Sequence, residues 1–176
     1  MIRPLILPAS AFAAVAVIAH MLTLSALPSV IMGRAVTMME ERGTPLHAFA
    51  LAPRATPDEQ NVVRMSPDVA YSVCRFDLSE GPVLVKGAAW VSYASLNVYD
   101  SETDNIVGID LGPEEPAVTS AVLRLRGDDD VPTPEGVPVY ELNKAKGVAV
   151  IRRLAPSDEI YAMVVEAARG DVCRVL

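Results

Sequence analysis

The sequence predicts a mainly β domain with one C-terminal helix, set behind an N-terminal membrane-spanning helix. Three observations predict it. The first is a run from Pro4 to Met32 without a charged side chain, bracketed by Arg3 and Arg34. The second is a series of short apolar/polar alternating stretches between Val69 and Leu154, separated by Gly, Pro and Asp. The third is a capped helical pattern that begins after Pro156.

The uncharged run is long enough to cross a bilayer, since about 20 apolar residues in a helix span a core of about 30 Å. Its competing reading is a secretory signal peptide, whose apolar stretch is about 7–15 residues long and ends in a small-x-small site. The run is longer than that, and Leu24, Leu27 and Pro28 interrupt the small residues Ser25, Ala26 and Ser29. We therefore read residues 4–32 as a retained anchor. His20 lies within it, and a neutral imidazole near a helix end is tolerated there. Pro8 and Pro28 fall near the ends of the span, where proline does little harm. No breaker follows until Gly43, so the helix is expected to extend through Glu41. Residues 33–64 are then a helical extension and a Pro-rich connector, and residues 65–176 the β-rich domain. Arg3 and the amino terminus are packed more densely than Arg34 and Arg42. This leans towards an inside N-terminus and a single-pass inner-membrane protein with its bulk in the periplasm.

Beyond the anchor, residues 35–176 make a segment of 142 residues (176 − 34), enough for one domain with a core. All 22 acidic residues and 13 of the 15 basic ones lie there, which gives 13 − 22 = −9. That balance excludes nucleic acid, which needs a basic footprint, and disfavours lying flat on anionic lipid. Cys74 and Cys173 are the two cysteines. Outside the cytoplasm an even count favours a disulfide; the other reading is two unpaired thiols. Two distant Cys and two His have no ligand spacing, so no metal is expected.

Along the connector, Ala48–Leu51 reads as a short strand. Val69–Leu78 alternates, with Ala70, Ser72, Cys74, Phe76 and Leu78 on one face. Ser79–Pro82 is a turn signal and Pro82–Lys86 a short strand, so these two strands are expected to form a hairpin. Trp90–Asp100 reads as one long strand. Ile106–Ile109, Val118–Arg126 and Gly147–Leu154 read as further strands, and Gly127–Pro138 as a loop. Ser157 is the expected N-cap of the C-terminal helix, with Asp158 and Glu159 in its first turn. Ile160, Met163, Val164 and Ala167 form its apolar stripe, and Gly170 its stop.

Several motifs, in order, resemble a family known as domain of unknown function 1254. Asp68-Val69-Ala70-Tyr71 resembles the Asp-x-x-Tyr that opens its first core strand. Asp77-Leu78-Ser79-Glu80-Gly81-Pro82 resembles its Asp-Leu-Ser-x-Gly-Pro turn. Tyr93–Asp100 resembles its Tyr-x-Ser-Leu-x-x-x-Asp strand, and Thr103-Asp104-Asn105 with Gly108 its Thr-x-Asn…Gly continuation. Gly147–Arg153 resembles its Gly-x-x-x-x-Arg strand. The resemblance covers residues 65–155 and implies a β-sandwich-like, extracytoplasmic bacterial domain. In longer relatives this domain precedes a second, of unknown function 1214. Short anchored relatives carry the first alone, beside a separate small protein with the second. The implied partner is therefore a separately encoded sister domain. The chain departs from the longer pattern by ending at Leu176, and it lacks the Asn-x-Asp-Thr opening of many relatives. The family supplies no catalytic residues.

The candidate ligand-binding residues are Asp68, Tyr71, Tyr93, Asp100 and Asn105. The carboxylates with Tyr71 and Asn105 could make a hydrolase site, whereas the aromatic residues could line a small-ligand surface. Asp100 at a strand end and Asp77 before a turn also suit backbone capping. Tyr93 and Tyr99, with Trp90 and Tyr71, also suit core or interface packing. No residue is assigned as catalytic: no Gly-x-Ser-x-Gly elbow or phosphate-binding glycine loop is present, and no cofactor is implied. Asp128–Asp130 lacks the alternating spacing of calcium loops and reads as solvated.

Overall fold

A computed structural model describes residues 3–56, 65–114, 119–128 and 133–176, with side chains from Pro8 onward. Part of the Pro-rich connector, the start of the strand expected from Val118, and Asp129-Asp130 of the acidic loop lie outside the described residues.

Helix α1 (Arg3–Glu41) runs without interruption through both Pro8 and Pro28. Its stretch from Pro8 to Glu41 is long and apolar enough to cross a membrane, and its apolar core is not buried in the protein. It ends where expected. Gly43 adopts φ +77°, a conformation costly to any residue with a Cβ, and the Gly43 and Thr44 amides close on the carbonyls of Glu40 and Met39 (both 2.9 Å).

Among the described residues, nine strands follow in two sheets. The first holds β1 (Ala50–Leu51), β2 (Val69–Asp77), β8 (Lys146–Leu154), β4 (Ala94–Asp100) and β5 (Asn105–Asp110), in that order. The second holds β7 (Val139–Leu142), β6 (Ser120–Leu125), β3 (Val83–Lys86) and β9 (Val172–Val175). All neighbours are antiparallel except β6 and β7. Helix α2 (Asp158–Ala168) carries the chain from β8 in the first sheet to β9 in the second. Alternation decides which side chains meet between the sheets. In β2, Ala70, Ser72, Cys74 and Phe76 are buried and the residues between them are not. Leu96 and Val98 of β4, Ile151 of β8, Val83 and Val85 of β3 and Leu123 of β6 complete the core. Burying each such side chain is worth about 1.5–3 kcal/mol. Gly147 is required where β8 passes between its neighbours: a Cβ there would lie 2.3 Å from Tyr99 O and 2.4 Å from the Phe76 ring. Cys74 and Cys173 are joined, so the disulfide ties β2 of one sheet to β9 of the other.

Three expectations are corrected. The Val69–Leu78 and Pro82–Lys86 strands do not form a hairpin: β2 pairs with β1 and β8, while β3 pairs with β6 and β9. The turn between them is a 3-10 turn (Leu78–Glu80) followed by Gly81 at φ +130°. It lacks the two-residue geometry that returns a strand alongside itself, and it sends the chain across to the other sheet. The long strand expected from Trp90 begins only at Ala94. Residues before it form a loop whose polar groups are satisfied elsewhere: Trp90 N donates to Leu111 O (2.8 Å) and its indole N–H to Leu154 O (3.1 Å). On α2, Ser157 caps as expected by accepting from Ile160 N. Val164 is its buried residue, but Met163 faces solvent and Tyr161 packs on the core instead.

Asp77 caps the 3-10 turn by accepting from Ser79 N (3.0 Å) and Ser79 Oγ (2.6 Å), with Lys146 Nζ at 3.5 Å. The hydrogen bonds from Ser79, and then the Lys146 charge, hold its carboxyl below the ordinary value of 3.8 against the opposing effect of burial. A depressed native pKa adds stability above the unfolded value and loses it as pH falls through the native one. Asp77→Asn keeps the cap and removes the charge. Its stability deficit should be constant above about pH 5 and shrink below about pH 4, as read by urea unfolding across that range.

Candidate functional site

The first sheet has an outward face made of the residues between the core positions. Register places Tyr71 of β2 opposite Arg152 of β8, and Arg152 opposite Ser95 of β4. Val73, Val150 and Asn97 form the next row. The far end of α1 leans over this face. Arg75 of β2 fixes it by donating from Nε and Nη2 to Thr44 O (3.1 and 2.9 Å), with Glu40 at 3.6 Å. The chain then pairs Leu46 with Arg75 and Ala50 with Val73. Between the helix end, β1 and the β2/β8 face lies a cleft of about 440 Å³, within the usual range for small-molecule sites. Met39, Leu51, Met65, Val73 and Val150 give it apolar walls, and Tyr71, Arg152 and Arg42 its polar groups.

The five expected site residues do not gather at one point. Tyr71 lines the cleft, and its hydroxyl accepts from Ser66 N (3.3 Å). Asp68 is exposed just before β2, where its carbonyl accepts from Ala155 N (2.7 Å). Tyr93 is 57% exposed on the loop before β4, with its hydroxyl 3.4 Å from Ser95 Oγ. Asp100 is buried at the other end of the sheet, where Oδ1 accepts from Glu102 N (2.8 Å) and Asp104 N (3.0 Å) and shapes the β4–β5 turn. Asn105 starts β5 beside the register shift at Val98/Tyr99. With its carboxamide nitrogen towards the backbone, it donates to Val107 O (2.7 Å) and Val98 O (3.2 Å). Asp68 precedes Val69, which lies opposite Leu154, whereas Asp100 lies opposite Gly147. The seven residue steps along β8 between those positions (154 − 147) separate the two carboxylates by about 23 Å. No acid/base pair is assembled from them. Among the described residues, no three His, Cys, Asp or Glu side chains gather as metal ligands.

Sequence reading missed two arginines. Arg152 was legible as an outward residue of its strand, but nothing near it in sequence marks the cleft. Arg153, one residue on, faces inward. It is 1% exposed and forms a two-pronged ion pair with Asp171 (2.9 and 2.6 Å), whose side chain is wholly buried. Arg153 also donates to Ala88 O (2.9 Å), and Asp171 accepts from Ala88 N (3.0 Å). The pair thus pins the loop before Trp90 to the start of β9.

A family model described as a protein of unknown function, DUF1254, matches residues 46–174. Among solved structures, the VPA0106 protein from Vibrio parahaemolyticus shares the fold with a TM-score of 0.62 at 15% identity. The match covers 85% of this chain and 36% of that one. An uncharacterised protein from Burkholderia cenocepacia matches at a TM-score of 0.45 and 15% identity, over 74% of this chain and 37% of its own. The chain spans about a third of the length of these solved proteins. No curated protein matches it.

Proposed function

The chain belongs to the DUF1254 family, and on that premise we propose that it is a membrane-tethered docking module of the cell envelope. In this reading α1 holds it in the inner membrane and the sandwich stands in the periplasm, where it docks on a separately encoded sister domain. The observation that carries the reading is one of coverage. Most of this chain superposes on a protein of which it accounts for only 36%. The same sandwich therefore occurs as one part of a longer chain. An unburied apolar α1 supports the tether, and the Cys74–Cys173 bond supports an oxidising compartment. Val91 and Tyr93, 72% and 57% exposed on the loop beside Leu154, are where we place the contact.

The test is in-cell crosslinking, extraction in mild detergent and affinity purification of the full chain, with identification of what accompanies it. One stoichiometric partner carrying the sister domain, diminished at least tenfold by Val91→Glu with Tyr93→Ala, is the expected result. Absence of a reproducible partner overturns the docking reading. The hydrolase alternative has no converged carboxylates to rest on. The small-ligand alternative has the cleft at Tyr71.

A further inference from the structure

We propose that the cleft between the end of α1 and the β2/β8 face binds a single-tailed anionic amphiphile, its head group on Arg152 and Tyr71 and its tail along the apolar wall towards α1. The inference is independent of the docking partner and concerns a different surface.

Arg152 carries the argument. The protein is acidic, with a net charge of −7, and it gives carboxylates freely to its half-buried and buried arginines. Arg54 holds Asp158, Arg75 holds Glu40, Arg124 holds Glu141 and Arg153 holds Asp171. Arg152 is half-buried too, yet among the described residues it holds no carboxylate. Its guanidinium meets the Tyr99 hydroxyl at 3.3 and 3.4 Å, both long, and stands 5.9 Å from the centre of that ring. A guanidinium against apolar walls without a counter-charge loses hydration that an anion would replace. Its planar fork matches a carboxylate or phosphate in two-point fashion. Tyr71, directly opposite Arg152, uses its oxygen to accept from Ser66 N. Its hydroxyl hydrogen remains available to donate to the same anion.

Beside this row the cleft has an apolar wall, with Arg42 and Thr44 at its helix end. Val73 and Val150 form the row next to Tyr71 and Arg152, and Met39 of α1 faces them across the cleft. Tyr71 and Val73 are the β2 residues on the cleft wall, and Leu51, Met65 and Met39 continue its apolar surface. That apolar surface suits an alkyl chain. The helix-end carbonyls of Met39 and Glu40 are already engaged by Thr44 N and Gly43 N, which leaves fewer free acceptors where the helix borders the cleft. Met39 stands seven residues beyond Met32, the end of the uncharged run, which is about 10 Å along the helix. A head-group layer is about 5–8 Å deep on each side of the bilayer. The cleft therefore lies just above the membrane surface, within reach of an amphiphile leaving the bilayer and equally open to one in solution.

The full chain is placed in phosphatidylcholine nanodiscs, and a fatty acid with a diazirine in its tail is supplied either in the bilayer or in the aqueous phase on albumin. After photolysis, adducts are mapped by peptide mass spectrometry. They are expected on the segments around Met39–Thr44 and Val150–Arg152. Labelling from the bilayer alone identifies a membrane source, and labelling from albumin a soluble one. Arg152→Gln should lower it roughly 10- to 100-fold, the weight of a hydrogen-bonded charge. Arg174→Gln, at an exposed position of β9, should leave it unchanged. A diazirine alcohol of the same length should label the parent protein as weakly as the acid labels Arg152→Gln. Equal labelling by acid and alcohol, or adducts confined to the uncharged run of α1, overturns the proposal, and neither outcome depends on a variant folding.

Discussion

Replacing Cys74 and Cys173 together by alanine is expected to lower the stability of the sandwich by up to about 4.7 kcal/mol, the chain-entropy value for a loop of about 100 residues. The bond spans a sequence separation of 99 and joins strands of opposite sheets. Without it, β9 keeps one neighbouring strand, β3, at the edge of the second sheet. Trp90 is the single tryptophan and is buried in the core, so its emission reports unfolding of this domain directly. Urea titrations of the full chain in detergent should show the midpoint fall in the double variant. Parent protein treated with reductant should fall by a similar amount. A midpoint unchanged in both would show that the cross-link constrains nothing that packing does not already hold.

The second large effect is expected at the ion pair. Asp171→Asn or Arg153→Met alone should cost about 3–5 kcal/mol, because each leaves the other charge buried without a partner. Changing both, Arg153→Met with Asp171→Leu, should recover most of that loss, since an apolar pair of similar volume is often neutral or better. The double-mutant cycle then gives a large coupling energy. Single variants that lose less than about 1 kcal/mol would place the pair in solvent. Ala88, held by both members of the pair, should show faster amide exchange in either single variant.

The two effects differ in how far the sequence announces them. The pairing of Cys74 with Cys173 was expected from an even count and the predicted orientation, and the alternation of β2 already turns Cys74 inward. Arg153 was legible in part. The same period of two that buries Gly147, Ala149 and Ile151 also points the next alternate residue, Arg153, into the core. An arginine there demands a carboxylate, but its partner comes from the turn after a helix, a position that no local pattern specifies. The uncharged α1, its stop at Gly43 and the Ser157 cap are local features, and each was readable. The hairpin failed because turn composition tells where a chain turns and not which sheet it enters next. Strands β7 and β9 are four residues each, too short for periodicity to register. The cleft is assembled from residues around 39–44, 50–53, 71–73 and 150–152. Of the expected site residues, only Tyr71 falls there.

The measurement that tests the tethered, periplasmic reading most directly combines accessibility with fractionation. Glu159→Cys adds one thiol at an exposed position on α2, while Cys74 and Cys173 stay bonded to each other. Spheroplasts are treated with a membrane-impermeant maleimide before and after lysis, and the membranes are then washed with alkaline carbonate. Full-length protein in the pellet, labelled without lysis, is the expected result. Label that appears only on lysis would put the sandwich in the cytoplasm, and a shortened chain in the wash would make α1 a removed signal sequence rather than an anchor.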